Sequence, residues 1–241
     1  PPPQTRRLAS GIERRMRARG FSRVDVYLPL LEADPAEQQR LLDLVTNPLS
    51  RFFRNPAQLR ALTGHILPAL GTHLRGEPIH LWSAGCATGE EPYTLAMLLE
   101  DAAPTAGYLV TATDISRRAL HIARRGCYPE GRLAELPEEF QRRFIEKTND
   151  GARVAPALQK RVRFVHHNLT NALDLPEQDV IFCRNVLTYL SEDARRDAVG
   201  VIHASLRSGG YLIIGNSESM RGVSARFESI ATEWARVYRK R

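Results

Sequence analysis

The chain has 241 residues, 43% of them hydrophobic and 25% charged, proportions ordinary for one large folded domain or an α/β domain joined to a small helical one. No apolar run approaches the roughly 20 residues that a bilayer-spanning helix needs, so no membrane insertion is expected. Cys86, Cys127 and Cys183 are odd in number and far apart, which argues against a disulfide framework or a zinc site; the expectations are no metal and a cytoplasmic location.

The opening residues are rich in proline and arginine rather than basic and then apolar, so no signal peptide is expected. The formal net charge of +7 is uneven: residues 1–23 carry Arg6, Arg7, Arg14, Arg15, Arg17, Arg19 and Arg23 against Glu13 alone. Such a face attracts a polyanion or an acidic protein, or it is the solvated side of a helix. Composition leaves these readings open.

Leu8, Ile12 and Met16 recur at helical spacing and predict a first helix with one apolar stripe, ended by Gly20. A second helix is predicted over Val24 to Leu31. A third runs from Pro35 to Val45, with Asp34 as N-cap and Pro35 in its first position. A further helix should cover Pro56 to Leu70. With no convincing strand in it, this stretch reads as a helical domain over residues 1–70. A linker follows over residues 71–78, where Gly71, Gly76 and Pro78 cluster.

From Ile79 onward, apolar strands alternate with helices. Ile79–Ala84, Tyr108–Thr113, Arg163–His166, Val180–Cys183 and Tyr211–Gly215 are the strand candidates. Glu90–Asp101, Arg117–Gly126 and Asp193–Leu206 are the helices between them. That alternation predicts an α/β domain over residues 79–241, with a mostly parallel sheet between helices. Ala225–Ile230 and Glu233–Arg239 should close it as a terminal antiparallel hairpin. Residues 126–162 interrupt the rhythm, and the Asp150-Gly151 pair signals a hairpin. We expect an excursion there, with a small β-subdomain over about residues 145–162, facing a partner.

Three stretches place polar groups where strands end: Leu81–Tyr93, Thr111–Ile115 and Asp179–Val186. In an open α/β sheet that edge receives nucleotide-like ligands. The turn Gly85-x-x-x-Gly89 is neither a dinucleotide fingerprint nor a P-loop. Glu90 and Glu91 open the next helix, where carboxylates either complement the helix dipole or meet a cationic ligand. Their charge would welcome the α-ammonium of S-adenosylmethionine and repel the pyrophosphate of NAD. Asp114, directly after an apolar strand, is well placed for ribose hydroxyls, although Arg117 and Arg118 keep NADP open. Asn168-Leu169 either frames an adenine or forms a strand-end turn.

Together, Trp82-Ser83-Ala84, Gly89-Glu90-Glu91-Pro92-Tyr93, Ala112-Thr113-Asp114-Ile115, Asn168-Leu169, Phe182-Cys183-Arg184-Asn185-Val186 and Asn216-Ser217-Glu218-Ser219 resemble the CheR-type chemotaxis-receptor glutamate methyltransferases. The likeness is collinear from about Arg7 to Tyr238. It implies a class I S-adenosylmethionine-dependent methyltransferase domain, Rossmann-like, behind an all-α domain and with a small β-subdomain. By position, Glu90 would bind the amino end of the cofactor, Asp114 the ribose, and Asn168 with Leu169 the adenine. Arg184 and Asn185 would line the methionine side. Ser50, Arg54, Ala84, Gly85 and Ile115 complete the implied cofactor-binding set. Arg54 and Tyr189 would be the catalytic residues, set against the bland readings of a helix cap and a packed aromatic.

The implied reaction carries a methyl group from S-adenosylmethionine to receptor glutamates, leaving S-adenosylhomocysteine. A carboxylate is already anionic at neutral pH, its reference pKa being near 4.3, so positioning and not deprotonation is required. The partner would be the acidic helices of a chemoreceptor's cytoplasmic domain, docked on Arg14, Arg15 and Arg17, with a monomeric enzyme and no nucleic acid. One departure is Pro48, where the family carries Asn ahead of its Phe-Phe-Arg. It supports the alternative of a non-catalytic module that binds the cofactor or its product. The short 126–162 excursion is similar to that of members working without a receptor-tail tether.

Overall fold

The structure, a computed structural model, describes residues 3–71, 77–103, 107–149, 151–220 and 226–241. Three helices open the chain: α1 (Pro3–Arg19), α2 (Val24–Ala33) and α3 (Pro35–Val45). The carboxylate of Asp34 accepts from the backbone of Ala36 at 2.9 Å and Glu37 at 3.2 Å, and Pro35 begins α3, which fixes its start as the sequence implies.

The packing of α1 differs from the expected Leu8–Ile12–Met16 stripe, since Leu8 is exposed. Helix α1 instead approaches α3 at Gly11, where a Cβ would lie 2.6 Å from Val45 Cγ1. One turn on, Arg15 forks onto Glu37, with its Nε 2.8 Å and Nη2 2.9 Å from the two carboxylate oxygens. Tyr27 of α2 donates to the same carboxylate at 3.0 Å. A buried ion pair therefore sits at the centre of the three-helix layer.

The helix expected over Pro56 to Leu70 is broken into α4 (Pro56–Ala61) and α5 (Leu67–Gly71) by a wider π-type turn over Leu62–Ile66. The Trp234 ring lies on Gly64 in that turn; a Cβ there would be 2.4 Å from it. Leu59, Leu62, Ile66 and Leu70 join the same apolar core as Leu81, Leu95 and Val110 of the sheet layer. Packing thus places residues 56–71 with the sheet, and not with a helical domain ending at residue 70. Within the expected 71–78 linker, residues 72–76 lie outside the described residues.

The main sheet contains β1 (Ile79–Ala84) and β2 (Tyr108–Asp114), separated by α6 (Glu90–Ala102). After β2 comes α7 (Arg117–Arg125) and then the excursion. The excursion is a three-stranded antiparallel sheet of β3 (Cys127–Tyr128), β4 (Ile145–Thr148) and β5 (Gly151–Val154), in the order β3-β5-β4. Helix α8 (Glu138–Phe144) lies inside it and α9 (Pro156–Gln159) follows it. The subdomain starts before the expected residue 145, because β3 pairs Cys127 with Arg153. It also ends before residue 162, because Val162 already opens a strand of the main sheet. Asp150 of the expected hairpin turn lies outside the described residues.

The chain then adds β6 (Val162–His166), β7 (Gln178–Cys183), α10 (Glu192–Ser205) and β8 (Leu206–Ile214). The tail forms β9 (Phe227–Ala231) and β10 (Arg236–Lys240). Strand order is β6-β2-β1-β7-β8-β10-β9, with β1 parallel to both β2 and β7. Within this sheet, among the described residues, the antiparallel pairings are those of the tail, β10 with β8 and β9. From β1 the chain moves outward through β2 to β6, then returns to the other side of β1 at β7. That reversal makes the carboxyl ends of β1 and β7 the topological switch point, the edge where open α/β sheets receive ligands. Among the described residues no helix is long and apolar enough to cross a membrane.

Candidate functional site

The turn after β1 is built for close approach. Gly85 has φ of +83°, and a Cβ there would lie 2.3 Å from Val186 Cγ2 in the loop after β7. Gly89 has φ of +98°, and a Cβ there would be 2.8 Å from the Cβ of Ala123 on α7. Both glycines are required by conformation and by space. Among the described residues, four non-glycine residues also adopt positive φ: Phe53, Asn55, Ala87 and Asn185. All four fall in the segments holding the expected site residues, as strained backbone commonly does at functional sites.

Asp114 ends β2. Its Oδ2 accepts from the Ala87 amide at 2.8 Å and its Oδ1 from the Ser116 amide at 2.8 Å. Each oxygen keeps a further lone pair, the arrangement a vicinal diol requires. Burial pushes this carboxyl up, opposed by the two backbone donors. Ala87 holds a left-handed φ of +48° and thereby aims its N–H at Asp114.

Glu90 and Glu91 begin α6 and have different roles. Glu90 is fully buried; Thr88 Oγ1 donates to it at 2.7 Å, and Arg132 Nη1 lies 3.3 Å away. The same Arg132 nitrogen reaches the carbonyl of buried Ser50 at 3.0 Å, tying the segment before α4 to α6. Glu91 accepts from Ser83 Oγ at 2.7 Å and pairs with Arg184 Nη1 at 3.3 Å. Burial pushes the Glu91 carboxyl up, while the nearby charges of Arg184 and Arg54 act in the other direction. Burial likewise pulls the Arg184 guanidinium down, with Glu91 opposing.

Arg184 also donates from Nη2 to the carbonyl of Arg54 at 2.6 Å, so it locks the Phe52-Phe53-Arg54 segment to the end of β7. The Arg54 guanidinium has no hydrogen-bond or ion-pair partner among the described residues. Asn185, with φ of +59°, has a buried Oδ1 that lacks a partner. A buried orphan acceptor beside the switch point is a candidate ligand contact. Tyr189 follows on a short turn and is exposed.

Glu218 holds this loop together. Its Oε2 accepts from the amides of Asn185 at 2.9 Å and Gly215 at 2.7 Å, and its Oε1 from that of Thr188 at 3.0 Å. The sequence shows the Asn216–Ser219 segment but not that its acid would clasp three amides of two different loops. Arg132, Thr88 and Ser116 also escaped the sequence reading. An arginine in an insertion carries no local signal of the carboxylate it will meet.

At the end of β6, Asn168 is exposed, and its Oδ1 accepts from Thr170 N at 3.2 Å and Thr170 Oγ1 at 3.0 Å. That is the turn-forming role, and it leaves the amide NH2 for other partners. Leu169 packs on the cluster containing Trp82 and Ile181. Ala84 is buried at the end of β1, and Ile115 presents its carbonyl to Gln39 of α3 at 3.0 Å. Among the expected docking residues, Arg14 and Arg17 are exposed. Arg15 is not available in the same way, since its guanidinium is committed to Glu37. No group of three or more His, Cys, Asp or Glu able to hold a metal occurs among the described residues.

Two family models match in tandem, "CheR methyltransferase, all-alpha domain" over residues 6–46 and "CheR methyltransferase, SAM binding domain" over residues 48–236. A chemotaxis protein methyltransferase of Listeria monocytogenes is 37% identical over 191 residues, 79% of this chain and 72% of that protein. One from Borreliella burgdorferi is 33% identical over 226 residues, 86% and 77% of the two chains. An uncharacterized 104.1 kDa protein of Rhodobacter capsulatus is 34% identical over 225 residues, which are 91% of this chain but only 24% of that protein. With both models matched in order over nearly its whole length, the chain belongs to the CheR methyltransferase family.

Proposed function

We propose that the chain is a protein-glutamate O-methyltransferase that uses S-adenosylmethionine to esterify glutamates on the cytoplasmic helices of a chemoreceptor. The observation that carries this reading is the set of groups around the β1–β7 switch point. Asp114 keeps two lone pairs for a ribose, Asn185 an unpaired buried oxygen, and Arg54 an unengaged guanidinium. When bound, the cofactor supplies a methyl group on a sulfonium that leaves as a neutral thioether.

The residues then divide the work. Asp114 holds the ribose hydroxyls, Gly85 admits the cofactor to the turn, and Glu90, Glu91 and Glu218 make the site favourable to a cation. Ser50, Ala84, Ile115, Asn168, Leu169, Arg184 and Asn185 complete the cofactor side. Arg54 receives the acceptor carboxylate and Tyr189 steers it from the rim. No proton moves, because the acceptor arrives ionised. Alignment of oxygen, methyl carbon and sulfur is the whole task.

Arg14 and Arg17, with Arg6 and Arg7, form the exposed basic face for an acidic receptor helix. Pro48 is exposed while Ser50 is buried, so the departure from the family pattern falls at the surface of this segment. The test is calorimetric titration with S-adenosylhomocysteine. Wild type should bind at micromolar affinity and Asp114→Ala should not. A folded wild-type protein that binds neither cofactor nor product would refute the reading.

A further inference from the structure

Helix α3 belongs to the all-α part of the chain, yet it grips the loop that carries the ribose acid. Gln39 donates from Nε2 to the carbonyl of Ile115 at 3.0 Å. His166, at the end of β6, approaches Gln39 Oε1 and the same Ile115 carbonyl with its Nε2, both at 3.0 Å. Both partners are acceptors, so this nitrogen carries the proton and donates.

One turn along α3, Asp43 Oδ1 accepts from Ser116 Oγ at 2.8 Å and from the Arg118 amide at 3.2 Å. Ser116 is the junction of the network. Its amide donates to Asp114 Oδ1 at 2.8 Å, and its hydroxyl oxygen caps α7 by accepting from the Ala119 amide at 3.1 Å. Gln39 Nε2 also reaches Asp43 Oδ1 at 3.3 Å, so the two α3 side chains act together. Asp43 adds a carboxylate at the start of α7, where the helix dipole favours one.

We propose that Gln39 and Asp43 are positioning residues for the cofactor site, through which α3 sets the loop Asp114–Ser116 in the geometry that receives the ribose. This rests on the assignment of Asp114 made above. Without α3, Ser116 would retain its cap to Ala119 but lose the acceptor that fixes its hydroxyl, and the Ile115 carbonyl would keep His166 but lose its Gln39 donor. Asp114 would keep its Ala87 donor, but the Ser116 amide that fixes its other oxygen would move with the loop. The helical layer is thereby part of the cofactor site, and not only a platform for the receptor.

The test is titration of the full chain with S-adenosylhomocysteine, comparing wild type, Asp114→Ala, Gln39→Ala, Asp43→Ala, Asp43→Asn and Gln38→Ala. The last is an exposed residue of the same helix, bonded to the Glu32 carbonyl, and serves as control. Loss of the Asp43 acceptor should raise Kd about tenfold and loss of Gln39 about fivefold, on the scale of one to two hydrogen bonds. Asp43→Asn, which keeps the acceptor oxygen, should recover most of the affinity. In turnover, KM for S-adenosylmethionine should rise more than kcat falls. A merely structural role would lower the melting temperature and leave Kd unchanged, and that result overturns the proposal. So would an Asp43→Asn variant that binds no better than Asp43→Ala. Should Asp43→Ala fail to fold, Gln39→Ala decides alone. Wild type that does not bind, or Asp114→Ala that binds as wild type does, refutes the ribose assignment itself.

Discussion

Replacing Arg15 by glutamate separates the two roles of the basic helix. Arg15 is folded against Glu37, whose carboxyl is held down to about 2 from an ordinary 4.5, first by the Arg15 hydrogen bonds and also by Tyr27, with burial opposing. At about 1.4 kcal/mol per pKa unit, that depression is worth about 3 kcal/mol to the folded state. The folded pKa lies below the unfolded one, so this contribution is fully present above the unfolded value of 4.5 and is lost as pH falls toward about 2. Arg40 at 3.4 Å and Arg19 at 3.9 Å from Glu37 would hold part of it if Arg15 were merely truncated. Glutamate at that position sets a second carboxylate against a buried one, and should cost about 3–5 kcal/mol in urea unfolding at neutral pH. The double substitution Arg14→Glu with Arg17→Glu should stay within about 0.5 kcal/mol of wild type while raising the KM for receptor. Measured from neutral pH to about pH 3, the stability difference between wild type and Arg15→Met should shrink with acid. An Arg15→Glu protein as stable as wild type, or a difference that does not change with pH, would refute this account of the helical layer.

Other predictions concern the switch point. Glu218→Gln keeps one acceptor oxygen but sets an NH2 group against an amide donor, so it should cost about 1–2 kcal/mol, and Glu218→Ala about 3 kcal/mol, in chemical denaturation. Glu218→Ala should slow methyl transfer more than Glu218→Gln, since with alanine Asn185 loses the acceptor that holds its strained φ of +59°. Wild-type rates in Glu218→Ala would count against that role. Gly85→Ala places a methyl group 2.3 Å from Val186 in a left-handed conformation, and should cost about 2–3 kcal/mol in stability and over tenfold in S-adenosylhomocysteine affinity. Methylation of the receptor, but not binding of the product, should fall as salt rises past about 0.15 M, where charges are screened beyond roughly 8 Å.

The strand–helix alternation was legible because its apolar runs are continuous and its caps are local. Asp34 and Pro35 mark the start of α3, and Ile79–Ala84 is the strand expected from its residues. The place of Asp114 at the strand's carboxyl end was legible for the same reason, as an acid closing an apolar run. Features that depend on distant partners were not. The break in the helix after Ala61 answers to Trp234, more than 160 positions away in the sequence. Arg15 reads as one more surface arginine until α3 brings Glu37 beneath it. The clasp of Glu218 on the Asn185 loop, and that of Gln39 and Asp43 on Ile115 and Ser116, are tertiary hydrogen bonds with no periodic signature. Arg184 places its two terminal nitrogens on Glu91 and the Arg54 carbonyl while its buried Nε has no partner, a use that no local pattern announces.

The most direct test of the proposed reaction uses methyl-labelled S-adenosylmethionine with the cytoplasmic fragment of a chemoreceptor from the same organism. Wild type should transfer label that mild alkali releases as methanol, the signature of a carboxyl ester, and Arg54→Ala should lose transfer while still binding S-adenosylhomocysteine. Alkali-stable label, or no transfer by an enzyme that binds the cofactor, would contradict glutamate esterification.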